Sequence, residues 1–200
     1  MTPVVATSRV QARQDAVRAE ILAAAWAAVR ADGLAALSMR DLGTRVGMKA
    51  QSLYSYFPSK HAIHDAMFRQ GYEAFIAVTA ASDALDASDD PRADAVRTAL
   101  TFFDFCIADP VRYQLLFQRV VPGFEPSPES YAVAVEAYAR TVGGLRRHGI
   151  TRQADHDLWT ATMTGLVSQQ LANDPGGTRW RDLVAPAVDM LLAHTGEDSR

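Results

Sequence analysis

The sequence predicts an all-α protein of about nine helices, and three observations carry that prediction. Apolar residues recur three and four positions apart through most of the chain. Helix breakers fall between those segments, at Asp32-Gly33, Pro58, Asp90-Pro91, Asp109-Pro110, the proline-rich stretch 122–130, Gly149 and Asp174-Pro175-Gly176-Gly177. Residues 14–31 are dominated by alanine, the strongest helix former. The predicted organisation is a flexible basic arm over 1–13, a three-helix helix-turn-helix unit over 14–64, and a second helical unit over 65–200.

Two hundred residues, 48% of them hydrophobic, give ample material for a packed core. Cys106 is the single cysteine, so no internal disulfide can form and a reducing cytoplasm is expected. Arg9, Arg13 and Arg18 lie near the start without an apolar segment, so no signal peptide is visible. The early apolar run 21–29 is too short to span a bilayer, and no membrane partner is expected. Residues 1–64 carry eight Lys or Arg against four Asp or Glu, a balance of +4. The remaining residues carry twelve against nineteen, a balance of −7. That split suits a nucleic-acid-facing N-terminus, because neutralising phosphates releases counterions, although chance variation in surface charge gives the same split.

Within 14–31, Val17, Ile21, Leu22, Ala25 and Val29 keep helical spacing, and Trp26 falls in that pattern as a packing residue. Ser38 is placed to cap the next helix, with Asp41 in its first turn. Met39, Leu42 and Val46 share one side of it, and Gly47 supplies the freedom to leave it. A second short helix is predicted over 49–56, burying Ala50, Leu53 and Phe57 and turning Gln51, Tyr54 and Ser55 outward. A short helix whose outer face is an amide, a phenol and hydroxyls, near Arg40, Lys49 and Lys60, suits a DNA major groove. A surface helix pair in an ordinary bundle has the same spacing.

The residues here resemble the TetR family of transcriptional regulators. Gly33-Leu34, Leu37-Ser38-Met39-Arg40-Asp41-Leu42, Gly47 and Leu53-Tyr54-x-Tyr56-Phe57-x-x-Lys60 follow that family's N-terminal pattern, and the resemblance covers residues 16–67. Two positions depart from it. Gly43 stands where the family usually has alanine, which should soften its helix by up to about 1 kcal/mol. Lys49 stands where a small hydroxyl residue is common, so an N-cap is lost. The resemblance implies that Arg40, Gln51, Tyr54 and Ser55 face base edges, with Ala50 offering its methyl. It also implies that Ser38, Lys49, Ser52, Tyr56 and Lys60 hold phosphates of a double-stranded, palindromic operator.

A long helix, capped by Ser59, is predicted to run to about residue 80 and to touch both units through Ile63, Met67, Phe68 and Phe75. The resemblance implies that a ligand shifting its far end swings the reading heads of a homodimer. His61 and His64 lie one turn apart on it without a third ligand, which fits surface or rim residues, and no metal or other cofactor is expected. Residues 82–90 are predicted as a loop, followed by a helix from Pro91 to about residue 108 and, after the break at Asp109-Pro110, a short helix holding Tyr113, Leu115, Leu116 and Phe117. Their stripe of Phe102, Phe105, Cys106, Tyr113 and Phe117, with Tyr131, Trp159 and Met163 from later helices, is either core or the wall of a pocket for an apolar small-molecule effector. A helix over 128–148 is expected to turn Tyr131, Val135, Tyr138 and Leu145 inward, and Arg146, Arg147 and His148 are either an anion contact or a solvated C-terminus that compensates its dipole.

The last helices are predicted over 155–173 and 180–194, with Pro186 kinking the latter or delaying its start. Ala161, Gly165, Ser168 and Ala172 form a stripe of small residues, and Ala187, Met190 and Leu191 of the final helix complete the candidate interface. The stripe is either a tight contact within one subunit or, as the resemblance implies, a two-fold interface. Asp155, His156 and Asp157 are consecutive on a helix and point apart, with no nucleophile beside them; they fit a helix start rather than catalysis. Neither a Gly-rich phosphate loop nor Cys/His zinc spacing is present. The expectation is a non-enzymatic DNA-binding repressor released by its effector. A helical carrier or enzyme that keeps the N-terminal unit as scaffold, and an effector-independent activator, are the alternatives.

Overall fold

The computed structural model describes residues 9–85 and 90–197 and is all-helical, with nine α-helices and no strand among the described residues. They are α1 (Arg9–Asp32), α2 (Met39–Arg45), α3 (Ala50–Leu53), α4 (Lys60–Leu85), α5 (Pro91–Ala108), α6 (Pro110–Phe117), α7 (Pro128–Arg147), α8 (Gln153–Asn173) and α9 (Val184–Glu197). Short 3-10 turns occupy Leu34–Ala36 and Arg181–Leu183.

Most boundaries follow the caps visible in the sequence. Asp90, Asp109 and Ser127 each accept a backbone N–H from the first turn of α5, α6 and α7, and a proline opens all three helices. Several boundaries differ from expectation. α1 starts at Arg9, so residues 9–13 are helical rather than an arm, and residues 1–8 lie outside the described residues. α4 continues to Leu85, through the first four residues of the predicted loop. Pro186 sits in the first turn of α9, where its missing N–H costs nothing, and it delays the start rather than kinking the helix.

α1 packs on α2 and on the start of α4, and α3 packs on α2; Ile21, Ala25, Leu42, Leu53, Phe57, Ile63 and Met67 fill the shared core and are essentially inaccessible to water. Trp26 donates its indole N–H to Gln70 Oε1 on α4 at 3.1 Å, which fixes its packing role. In the rest of the chain α5 is central and packs on α4, α8 and α9, with Ala95, Ala99, Phe103 and Cys106 wholly buried. α7 lies along α4, and Asp65 of α4 pins its start by accepting from Ser127 N, Ser127 Oγ and Ser130 Oγ at 2.7 to 2.9 Å.

α7 is turned from its predicted register. Tyr131, Val135 and Tyr138 are half-exposed, while Ser130, Ala134 and Ala137 face inward. Small side chains let α7 lie close to α4, and the bulky ones are displaced to the rim. Leu145 is buried as expected.

Candidate nucleic-acid interface and ligand cavity

The turn between α2 and α3 is set by three backbone features. Ser38 Oγ accepts the Asp41 N–H at 3.4 Å and starts α2. Gly47 adopts φ +66°, a left-handed conformation that a side chain would strain. The Met48 N–H then closes onto Gly43 O at 2.8 Å, bringing α3 across α2. Gly43 is buried in this crossing, and a Cβ there would lie 2.7 Å from Met48 O and 3.3 Å from Ala50 N. Glycine is therefore what permits this close approach, and its low helix propensity is secondary.

α3 is shorter than predicted, a single helical turn followed by tighter turns to Tyr56. Its N-cap Lys49 makes no side-chain cap, in line with the lost hydroxyl. Leu53 and Phe57 anchor the segment in the core. Arg18 of α1 holds its end, donating to Tyr56 O and stacking its guanidinium 4.3 Å from the Phe57 ring centroid. Gln51, Ser52, Tyr54 and Ser55 are exposed, and Ala50 and Tyr56 are partly so. Ser55 Oγ donates to Ser52 O at 2.6 Å, which leaves its lone pairs free. Arg40 and Lys49 are exposed and Lys60 is half-buried; among the described residues none of the three has a carboxylate within ion-pair distance. Other cations of the unit are committed elsewhere, Arg45 to Asp32 at 3.2 Å and Arg30 to Asp109 at 2.7 Å. The surface around α3 thus offers uncompensated positive charge beside hydroxyls, an amide and a phenol.

A cavity of about 220 Å³ opens between α4, α5, α7 and α8. Tyr72, Phe75, Phe102, Phe117, Trp159 and Met163 form its apolar wall, and Thr79, Thr98, Thr141 and Thr160 supply hydroxyls. Three of these hydroxyls already donate to carbonyls in their own helices, Thr79 to Phe75 O, Thr141 to Ala137 O and Thr160 to His156 O, so toward a ligand they accept. No carboxylate, ammonium or guanidinium lines the cavity. Burial pushes the Tyr72 phenol well above its usual range and keeps it neutral.

Residues 21–67 match the family described as bacterial regulatory proteins, tetR family. The chain carries the DNA-binding unit of the TetR family. No curated protein is similar enough in sequence to count as a relative. Among solved structures, the regulatory protein SCO4313 superposes with a TM-score of 0.75 at 23% identity, over 90% of this chain and 97% of that one. A TetR-family transcription regulator from Marinobacter aquaeolei VT8 gives 0.67 at 19% identity, over 90% and 96%. A TetR variant from Acinetobacter baumannii AYE, solved in complex with minocycline, gives 0.58 at 20% identity, over 90% and 96%. These likenesses extend the TetR fold from the N-terminal unit to the rest of the chain.

Within this TetR fold the predicted pocket residues divide. Phe102, Phe117, Trp159 and Met163 line the cavity. Phe105 is core, with Arg112 stacked 3.7 Å from its ring centroid. Cys106 is wholly buried outside the wall, and burial pushes its thiol far above the usual range. Tyr113 is buried, with its hydroxyl shared with Ser168 Oγ at 2.8 Å, and Tyr131 faces a separate hollow. Tyr72, Phe75, Tyr138 and the four threonines were not anticipated. Their signal, threonines on the apolar sides of otherwise hydrophobic helices, is weak because a threonine methyl packs like a valine.

The small-residue stripe divides as well. Ala161, Gly165 and Ala172 are exposed on α8 and Met190 is 71% exposed on α9. Ser168 is half-buried with its hydroxyl turned to Tyr113, and Ala187 and Leu191 are buried where α9 packs on α5 and α8, so these three make contacts within their own subunit. His64 is a core residue rather than a rim one, its ring N–H directed at Leu34 O at 3.2 Å. The helix expected to start at Asp155 starts at Gln153, and Asp155 is held by the Arg152 guanidinium while His156 bonds Ile150 O at 2.9 Å. His148 is drawn in to Asp94 Oδ2 at 2.7 Å instead of lying solvated at the end of α7. No helix among the described residues is long and apolar enough to cross a membrane.

Proposed function

We propose that the protein is a homodimeric, non-enzymatic transcriptional repressor that occupies a palindromic operator and leaves it when a small, neutral, largely apolar molecule enters the cavity. The observation that carries the DNA-binding part is the exposed polar side of α3 flanked by the unpaired Arg40, Lys49 and Lys60. Cations left without internal partners are suited to phosphates, and Gln51, Tyr54 and Ser55 to base edges. The exposed apolar run of Leu158, Ala161, Gly165 and Ala172 on α8, together with Leu183 and Met190, supports a two-fold interface.

The cavity supports an effector-controlled regulator over an effector-independent one, for which a filled bundle would be expected. α4 links the two sites physically. It carries Tyr72, Phe75 and Thr79 in the cavity wall, and Ile63 and Met67 in the core of the DNA-binding unit. A helix of 26 residues is about 39 Å long, so a tilt of about 5° moves its end by about 3 Å. That displacement is large compared with the tolerance of two heads set about 34 Å apart. Selection of bound sequences from random duplex DNA tests the proposal. An enriched two-fold palindrome is expected, and recovery of unenriched sequence at low salt would overturn it.

A further inference from the structure

A second hollow of about 300 Å³ lies beyond the first, between α4, the end of α6 and the start of α7. Tyr72 and Phe117 line both spaces, so these two rings, with centroids 5.7 Å apart, form the wall between them. Tyr72 is pinned by its hydroxyl to Leu116 O at 3.1 Å, whereas Phe117, half-buried at the last position of α6, packs against the rings of Tyr72, Phe75, Phe102 and Tyr113 and carries no polar group to anchor it. Phe117 is thus the half of the wall that can turn without breaking a hydrogen bond.

The two spaces differ in chemistry. The inner one has no charged lining, whereas the outer one adds Gln118 and Arg119 to its apolar floor. Arg119 is exposed, and among the described residues it has no carboxylate within ion-pair distance; Glu125, which shares an adjoining hollow with it, does not neutralise it at contact. Ligand sites usually span about 300 to 1,000 Å³, so the inner space alone falls short and the two together fall well inside that range.

We infer that the effector site is a single two-chambered site, opened by rotation of Phe117, for an elongated amphiphile whose apolar body fills the inner chamber and whose anionic head meets Arg119. This deepens the effector reading proposed above and rests on it for its consequence at DNA. The outer chamber is also the one nearer the DNA-binding unit. Phe124 on its edge packs 5.7 Å from the His64 ring and 6.0 Å from the His61 ring, at the start of α4. A head group in this chamber presses on the part of α4 that carries the reading head.

The test uses the full-length protein and tryptophan fluorescence, since Trp159 lines the inner chamber. Straight-chain carboxylates from hexanoate to hexadecanoate, and their methyl esters, are titrated in turn. Affinity should rise with chain length, and each acid should bind about tenfold more tightly than its ester, the value of one charge-assisted hydrogen bond. Arg119→Gln should remove the preference for the acid while leaving ester binding in place. Phe117→Trp, which thickens the wall, should shift the preference to shorter chains. Equal binding of acid and ester, a preference that survives Arg119→Gln, or no binding by any member would overturn the inference. Release of a selected DNA duplex is measured separately. Arg119-dependent binding without release would leave the site standing and overturn the effector reading instead.

Discussion

Arg30, near the end of α1, donates both Nε and a terminal N–H to Asp109 Oδ2 at 3.0 and 2.7 Å, joining the DNA-binding unit to the start of α6 across 79 residues of chain. Asp109 does two things at once, because its other oxygen caps α6 by accepting the Arg112 N–H at 3.2 Å. The arginine is half-exposed and the aspartate largely buried, so the two partners are not equivalent. Arg30→Ala should cost less than about 1 kcal/mol, as solvent screens an open pair. Asp109→Ala should cost about 1 to 2 kcal/mol, since the cap is lost as well. Urea midpoints of both variants decide the order, and equal losses would contradict the double role.

Tyr54→Ala and Lys60→Ala should each weaken binding to the selected operator without unfolding the dimer. Their effects should differ in kind. Lys60 is proposed to hold a phosphate, so its loss should lower affinity for all sequences alike and reduce the salt slope by about one unit. Tyr54 is proposed to face a base edge, so its loss should fall mainly on the selected sequence. Titrations on operator and scrambled duplex at several salt concentrations separate the two, and wild-type affinity in both variants would refute the assignment.

Gly43→Ala sets two effects against each other. Alanine favours an α-helix over glycine by up to about 1 kcal/mol, which alone would stabilise α2. The new Cβ would meet Met48 O at 2.7 Å, a backbone atom of a residue whose N–H is tied to Gly43 O. Relief requires moving the turn, at a cost of about 1 to 3 kcal/mol. The clash should win, lowering stability by about 1 to 2 kcal/mol and weakening DNA binding through a shifted α3. A variant as stable as the parent in urea would show that the turn yields easily.

How much could be foreseen follows from how local each feature is. The helix-turn-helix was legible because its cap, turn glycine and anchors, Ser38, Gly47, Leu53 and Phe57, lie within twenty residues and act on their neighbours. The rotation of α7 was not legible, because bulk marked Tyr131, Val135 and Tyr138 as inner positions while close packing on α4 selected Ser130, Ala134 and Ala137. Nor could periodicity separate wall from core among the aromatics. Phe102 and Phe105 lie on the same helix, yet only Phe102 reaches the cavity. Ser168 looked like part of a surface stripe until Tyr113, on a distant helix, claimed its hydroxyl.

His64 should make the protein acid-sensitive in a definite window. Burial is the main cause that pushes its imidazole down to about 4, assisted by the nearby charges of Lys60 and His61 and partly opposed by the hydrogen bond to Leu34 O. In the unfolded chain the same group titrates near 6.5, so between the two values the unfolded state binds the proton and the folded state does not. Stability is therefore fully present above about pH 6.5 and is lost as pH falls toward about 4, with roughly 2 to 3 kcal/mol gone by about pH 4.5. His64→Gln keeps a donor for Leu34 O but cannot take up the proton. Urea unfolding of parent and variant at about pH 7.5 and about pH 4.5 gives the change within each protein, which is insensitive to any offset the substitution itself introduces. The parent should lose more on acidification by that amount, and equal losses in the two proteins would remove His64 as the origin of the effect.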